Sequence, residues 1–427
     1  MTIFNRLHTF DSLALRDYRL LWLGQISTSM GQWMDQTARS WLIYKMTGSP
    51  LQLGLVSATR GIPLLAFGVI AGVVADRYGR KPQLVIAQVV NALLNIILAT
   101  LVLTGRIEVW QVYVTGFLSG TVQAFQQPAR QALINDLVGE KYLLNAIALN
   151  SAALNLSRSV GPAVCGVLIE YLGVDISYYV QAGLYAFATV WTIQININET
   201  VARTENRLAQ EGQSFFQSAK EGFNYVATHR LILALMVLGL APILLGMPYT
   251  SLMPLFALDI LHGNATTQGL LLTTVGIGAV TGAVIIASLV QKQGNGKLLI
   301  FGAAGFGLSL VFFSQSPVIW MAMIFTFLAG ISNSSYTSQD QTIIQLLTPA
   351  NLRGRVLGFY LLNRGLQPLG SLLAGALAAW LGGPWAITIM GGSCIILVII
   401  MAAAVPEVWR LKLRPKMSGA SGEYSAG

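Results

Sequence analysis

Runs of about twenty mostly apolar residues, cut apart by short turn-forming segments, recur along the whole length of this chain. At 1.5 Å per residue, a helix of about twenty residues crosses roughly 30 Å, the thickness of a bilayer's hydrocarbon layer. Twelve such runs can be read, at about 20–44, 51–75, 82–104, 110–132, 143–169 and 177–197, then 231–258, 266–290, 298–314, 317–341, 355–381 and 385–405. Turn signals such as Thr47-Gly48-Ser49-Pro50, Ser316-Pro317 and Gly382-Gly383-Pro384 fall between them. Only 10% of the 427 residues are charged, and the mean hydropathy is +0.62. A soluble domain carries about 25% charged residues. Too few charges remain to cover a water-facing surface, so the chain is expected to be an all-α integral membrane protein. The first run follows Arg6, Arg16 and Arg19, is too long for a signal peptide and lacks a small-residue cleavage site, so it is expected to stay as a helix.

The positions of Lys and Arg give the orientation. With the N-terminus placed in the cytoplasm, every one of the 26 falls on the cytoplasmic side except Lys45 and Arg106 outside, and Arg39, Arg60, Arg158 and Arg364 within spans. Arg130 and Lys141 count with the loop near 130–142. Both termini are therefore expected inside. Trp22, Trp41, Trp110, Trp320, Trp380, Trp385 and Trp409 lie near the ends of runs, where indole prefers the interface. The net charge of +9 then reads as topology and attraction to anionic membrane lipids, with no nucleic-acid partner expected. Cys165 and Cys394 lie far apart in apolar runs, and His8, His229 and His262 lie at span ends or in the N-terminal segment. Neither set makes a metal or redox framework. Gly294-Asn295-Gly296-Lys297 lacks the Ser or Thr and the preceding strand of a phosphate loop. No metal, no cofactor and no enzyme activity is expected.

The two halves repeat each other. Gly54, Thr59, Gly61 and Ile62 match Gly269, Thr274, Gly276 and Ile277 at a constant spacing, and Gly161, Gly166 and Gly173 match Gly370, Gly375 and Gly382 at another. Two six-helix halves joined by a polar segment make a transporter architecture. The expected domains are 1–198 and 230–405, a linker at 199–229 and a tail at 406–427. Residues 199–212 are polar. Phe215, Phe216, Phe223, Tyr225 and Val226 then interleave with Lys220, Glu221 and His229, which suits an amphipathic helix on the cytoplasmic interface. That helix either covers the bundle or regulates it.

After the second run the chain reads Gly72-Val73-Val74-Ala75-Asp76-Arg77-Tyr78-Gly79-Arg80-Lys81. This resembles the signature loop of the major facilitator superfamily, placed between the second and third spans as in that family. The resemblance implies twelve transmembrane helices in two pseudo-symmetric six-helix bundles, and alternating access latched on the cytoplasmic side by Gly72, Asp76, Arg77, Gly79, Arg80 and Lys81, with Asp136 at the gate. Gly72 would allow two helices to approach closely. Gly79 would allow a tight turn. Asp76 could pair with Arg80 and face a helix terminus. The second copy, Gln291 to Lys297, lacks the aspartate, so the latch is expected mainly from the first half.

Trp41 to Pro50 with Leu53-Gly54, and Pro128-Ala129-Arg130-Gln131-Ala132-Leu133-Ile134, are similar to the exporter branch that includes enterobactin and macrolide efflux proteins. Gly161-Pro162-Ala163-Val164-Cys165-Gly166 resembles a motif of proton-coupled drug exporters, with Gly161, Pro162 and Gly166 kept and Cys165 in place of a glycine. The arginine often found in the family's fourth span is missing, since Tyr113-Val114-Thr115-Gly116 stands there. The resemblance implies export of a drug-like or siderophore-like small molecule across the bacterial inner membrane, with the proton as coupling ion; the oligomeric state is open, with a monomer as the default. A lipid flippase or scramblase on the same fold, or an importer, remains open.

Ionisable groups within spans are expensive, so each is a candidate for function. Asp35 and Arg39 lie one turn apart on one helix face. They read either as a coupling acid with its modulator or as a packing ion pair. Arg158 and Arg364 fall at nearly equal depth in the repeat, and with Arg60 they would favour an anionic or hydrogen-bond-rich substrate. Alternatively they bond backbone carbonyls near Pro162 and Pro368. Trp33, Gln25, Gln32, Gln36, Gln123, Phe125 and Asn333 could line a broad cavity. Asp340, like Asp136, reads as a gate residue at a cytoplasmic end.

Overall fold

A computed structural model describes residues 8–77, 79–196, 215–289, 294–349 and 352–413. The polar stretch 199–212 and the end of the tail lie outside the described residues. A short 3-10 turn, His8–Ala14, leads into α1 (Arg16–Thr47), α2 (Pro50–Arg77), α3 (Arg80–Leu103), α4 (Val109–Leu172) and α5 (Val174–Ile193). Then come α6 (Phe215–Thr228), α7 (Arg230–Ile260), α8 (Ala265–Leu289), α9 (Gly296–Ser314), α10 (Ile319–Leu347), α11 (Arg353–Gly365), α12 (Gln367–Leu381), α13 (Gly383–Ala404) and α14 (Pro406–Arg410). Seven helices among the described residues are long and apolar enough to cross a membrane: α3, α4, α7, α8, α9, α13 and the Pro50–Gly68 part of α2.

Several expected runs take a different local form. The fourth and fifth runs join into one 64-residue helix, broken at Gly139, whose φ of 62° and ψ of 177° take the backbone out of the helical region. Gly139 is where a glycine's positive φ is needed. The expected loop from residue 130 is thus helical up to Val138. The seventh run is helical but irregular, with π turns at Pro242–Gly246 and Phe256–Ile260 and a 3-10 turn at Met247–Leu252. Pro242, Pro248 and Pro254 each lack an N–H, so the regular ladder cannot close across them. The eleventh run divides at Leu366, just before Pro368.

The chain forms two compact units. Within the described residues the first takes 8–48, 56–196 and 264–273, and the second takes 49–55, 215–263 and 274–413. In the first unit Tyr18, Leu21, Leu84, Leu133, Ile134 and Ala146 make an apolar cluster where α1, α3 and α4 meet. In the second, Ile232, Leu235, Leu299, Ile343, Val356 and Val398 make another. An aromatic group of Tyr249, Phe256, Phe306 and Phe313 fills the space against α7's irregular turns. Helix α6 is held to α11 by the Glu221–Arg355 ion pair and by Phe223 against Phe359, ring centroids 6.1 Å apart.

The matched glycines of the repeat form reciprocal helix crossings. In the first unit a Cβ added to Gly166 would lie 2.5 Å from the Ala265 carbonyl oxygen and 3.2 Å from the Gly269 Cα. In the second unit a Cβ on Gly375 would lie 2.8 Å from the Pro50 oxygen and 3.1 Å from the Gly54 Cα. Gly269 is the repeat partner of Gly54, and Gly375 that of Gly166. Backbones this close exclude any side chain, and small residues are what let helices approach in lipid. Gly166→Val or Gly375→Val is expected to destabilise by about 1–3 kcal/mol, the usual range for overpacking. Gly392→Ala, where a Cβ meets nothing within 4 Å, should leave the melting temperature in detergent unchanged.

Candidate functional site

Helix α1 carries the charges and is enclosed to receive them. Gln25, Thr28, Ser29, Asp35, Thr37, Arg39 and Ser40 are all buried on it. Polar groups without water need partners inside the protein. Arg39 Nη2 donates to Asp35 Oδ1 at 2.8 Å, and its Nε donates to Oδ2 at 3.4 Å. Arg60 of α2 brings a second guanidinium, its Nη1 lying 3.2 Å from Asp35 Oδ2 and 3.5 Å from the Gln32 carbonyl oxygen. Arg39 Nη1 reaches α4, donating to the Val112 carbonyl and to Thr115 Oγ1, both at 2.8 Å. The guanidinium missing from the fourth span's own sequence thus arrives there from α1.

Burial divides the three members. The side chains of Asp35 and Arg39 are 3% and 4% exposed, and that of Arg60 is 16% exposed. One carboxylate faces two guanidiniums, leaving one positive charge over. Tyr178 and Tyr185 of α5 lie within electrostatic reach of Arg39. Cys165, in place of the motif's glycine, lies 3.2 Å from the Met34 carbonyl oxygen and 3.4 Å from Ser177 Oγ, joining α4 to α1 and α5. Gly161 packs on Trp33, whose Cβ would lie 2.9 Å from a Cβ added there.

The other candidates spread out. Arg158 stands over the Trp33 ring, its guanidinium carbon 5.5 Å from the centroid, a cation–π arrangement. Arg364 belongs to α11, and its side chain lies outside the described residues. Phe125 stacks on Phe67 at 6.3 Å, and Asn333 Nδ2 lies 3.5 Å from Met247 Sδ.

At the signature loop, Arg80 ion-pairs with Asp136 of α4 and also donates to the Ala132 carbonyl at 3.4 Å. Lys81 Nζ donates to the Ile195 carbonyl at 2.7 Å, just past the end of α5. Gly72, Asp76 and Arg77 belong to the last turns of α2, and their side chains lie outside the described residues. Gly79 has φ −57° and ψ 126°, a conformation open to any residue. The second copy uses other chemistry. Gly294 and Asn295 pair as a two-residue strand with Lys412 and Leu413, and the Asn295 N–H donates to Gln339 Oε1 at 2.9 Å.

Two buried groups escaped the sequence reading. Arg130, counted there with a cytoplasmic loop, is 4% exposed within α4. Its Nη1 donates to Thr28 Oγ1 at 2.8 Å and to Gln25 Oε1, and its Nη2 is buried without a hydrogen-bond partner. The one available signal was the helical spacing of Gln25 and Thr28 opposite it. Asp340, read as a gate residue, is 0% exposed within α10.

Removing one member of a buried ion pair typically costs about 3–5 kcal/mol, because the other charge is left uncompensated. Arg39→Ala is expected in that range by thermal unfolding in detergent. Arg39→Lys should fail to restore stability, since an ammonium cannot reach Asp35 and α4 with one planar fork. Arg80→Ala at the partly exposed gate pair should cost less than about 1 kcal/mol.

A family model described as a transmembrane secretion effector matches residues 8–420. The chain is similar to the staphyloferrin A transporter of Staphylococcus aureus, 24% identical over 92% of this chain and 97% of that one. It is similar to macrolide efflux protein A of Streptococcus pyogenes, 23% identical over 95% and 99%. It is also similar to the enterobactin exporter EntS of Citrobacter koseri, 25% identical over 87% and 88%. Among solved structures, the nucleoside transporter NupG shares the fold with a TM-score of 0.71 at 13% identity, over 91% of this chain and 98% of that one.

Proposed function

The chain belongs to the transmembrane secretion effector family of the major facilitator superfamily, and we propose that it is a secondary active exporter of amphipathic small molecules, drug-like or siderophore-like. The observation that carries this reading is the buried cluster of Asp35, Arg39 and Arg60. Its surplus positive charge and its one half-released arm suit a site that binds, and lets go, a ligand with anionic or hydrogen-bond-accepting groups. Relatives named for siderophore transport and macrolide efflux support the substrate class.

The transport cycle is alternating access between two six-helix bundles, residues 1–198 and 230–405. The linker at 199–229 and the tail at 406–427 lie on the cytoplasmic side, with both termini inside. The protein works as a monomer in the bacterial inner membrane. The Arg80–Asp136 pair and Lys81 close the cytoplasmic gate. Arg158 and Arg364 add positive charge toward the substrate.

Proton antiport drives the cycle. Arg60 is the more exposed of Asp35's two partners, and so the one able to leave. With Asp35 ionised, the cluster binds substrate from the cytoplasmic side. A proton arriving at Asp35 from the outside weakens its hold on Arg60 and displaces the substrate outward, and that proton leaves to the cytoplasm as the pair re-forms. Each turnover makes and breaks one O–H bond at Asp35.

Everted vesicles energised with a proton gradient test this. A dye and macrolide panel and a catecholate siderophore are expected to accumulate with the wild type. Accumulation should fall to the unenergised level in Asp35→Asn. Accumulation that survives in that variant removes Asp35 from coupling. Absence of any accumulation by correctly folded protein moves lipid translocation or import to the front.

A further inference from the structure

The second unit buries an acid with no counter-charge among the described residues. Both oxygens of Asp340 are buried without a hydrogen-bond partner, in a residue that is 0% exposed. No Lys, Arg or His nitrogen among the described residues forms an ion pair with it. Polar groups do face it. Tyr336, one turn earlier on α10, donates its hydroxyl to the Gly239 carbonyl at 3.0 Å and so spends its proton on α7. Tyr360 faces Asp340 from α11.

Among the described residues, the elements packed around it offer no charge that pairs with it; the Arg364 side chain, one turn beyond Tyr360 on α11, lies outside them. From α7, Gly239 presents only backbone, and a Cβ there would lie 3.0 Å from Asp340 Oδ2. Arg355 of α11 pairs with Glu221, and Lys297 of α9 stands over the Trp409 ring at 5.9 Å. The preceding side chain, Gln339, is taken by the Asn295 N–H. An ionised carboxylate placed so would carry a desolvation penalty that no charge among the described residues offsets. The neutral, protonated carboxyl is the form these surroundings accept.

We propose that Asp340 is a proton-binding site of the second unit, holding one proton at rest and exchanging it during the transport cycle. It is thus a second coupling acid, in the half that lacks the Asp35 cluster. The proton joins a carboxylate oxygen when the site opens to one side of the membrane. It leaves to water when the site opens to the other. The direction of coupling rests on the exporter reading above, whereas protonation at rest does not.

Infrared difference spectroscopy on the purified full-length protein in lipid reads the proton directly. At neutral pH the wild type should show the carbonyl stretch of a protonated carboxylic acid. That band should be lost in Asp340→Asn and kept in Asp35→Asn. Asn is close in size and shape to the neutral acid, so the variant should fold. A wild type without the band, or a band that persists in Asp340→Asn, overturns the proposal without touching the exporter reading. Everted vesicles then test exchange, with the macrolide erythromycin as probe. Gradient-driven accumulation should disappear in Asp340→Asn while counterflow against preloaded erythromycin continues. Accumulation equal to the wild type would overturn the coupling role. Wild-type accumulation under a sodium gradient but not a proton gradient would overturn proton exchange in transport here and proton antiport above, while leaving export intact.

Discussion

A charge held inside a lipid-facing bundle must find its counterpart within the protein, because lipid supplies none. The first unit is built around that constraint. Arg39 uses its whole fork, pairing with Asp35 on its own helix and with a carbonyl and a hydroxyl on α4. Arg60 ties α2 to the same carboxylate. Three helices are thereby locked around one acid. Arg130 extends the pattern with two more neutral contacts back to α1. These contacts cross between helices at chosen points, so they set which faces of α1, α2 and α4 meet. Apolar packing alone would hold the helices but would not select those faces.

The same constraint explains what the sequence shows and what it hides. Apolar runs announce α3, α7, α8, α9 and α13, since those helices meet lipid or one another through hydrocarbon. Helix α1 is 32 residues long and central to the site, yet it is rich in Gln, Ser, Thr and charged residues that lower its hydropathy. Its polarity is a consequence of enclosure by protein. The i, i+4 spacing made the Asp35–Arg39 pair readable. Arg60's part in it was not, because α2 is distant along the chain and only packing brings the two together. Arg130 was misplaced for a related reason. A basic residue near the end of an apolar run reads as a loop charge, and only the break at Gly139 shows how far the helix continues.

Glycine matches proved more informative than their individual weakness suggests. Any one glycine in an apolar helix is unremarkable. The repeat spacing, however, paired Gly54 with Gly269 and Gly166 with Gly375, and the structure presses Gly54 on Gly375 and Gly166 on Gly269. A duplicated contact leaves this cross-pattern because each partner's copy must keep the copied gap. Steric exclusion is unforgiving at about 3 Å, so both copies retain glycine. The signature loop shows the opposite. Gly79 adopts a conformation open to any residue, so its identity there has no backbone explanation.

The two units then share a scaffold and differ in chemistry. The first closes its loop with an ion pair between Arg80 and Asp136, and the second ties its corresponding loop with a two-residue strand and a glutamine amide. The first buries a surplus of positive charge, and the second buries a carboxyl that has no ion-pair partner among the described residues. Backbone crossings tolerate no change in size, whereas a buried polar side chain can be exchanged wherever a new set of partners, or a bound proton, satisfies it. Duplication therefore conserves the glycines that set helix distances and leaves the charged positions free to diverge. A cycle that must hold a substrate and a coupling ion needs that divergence, because two identical half-sites would bind both ligands with the same preference and could not exchange one for the other.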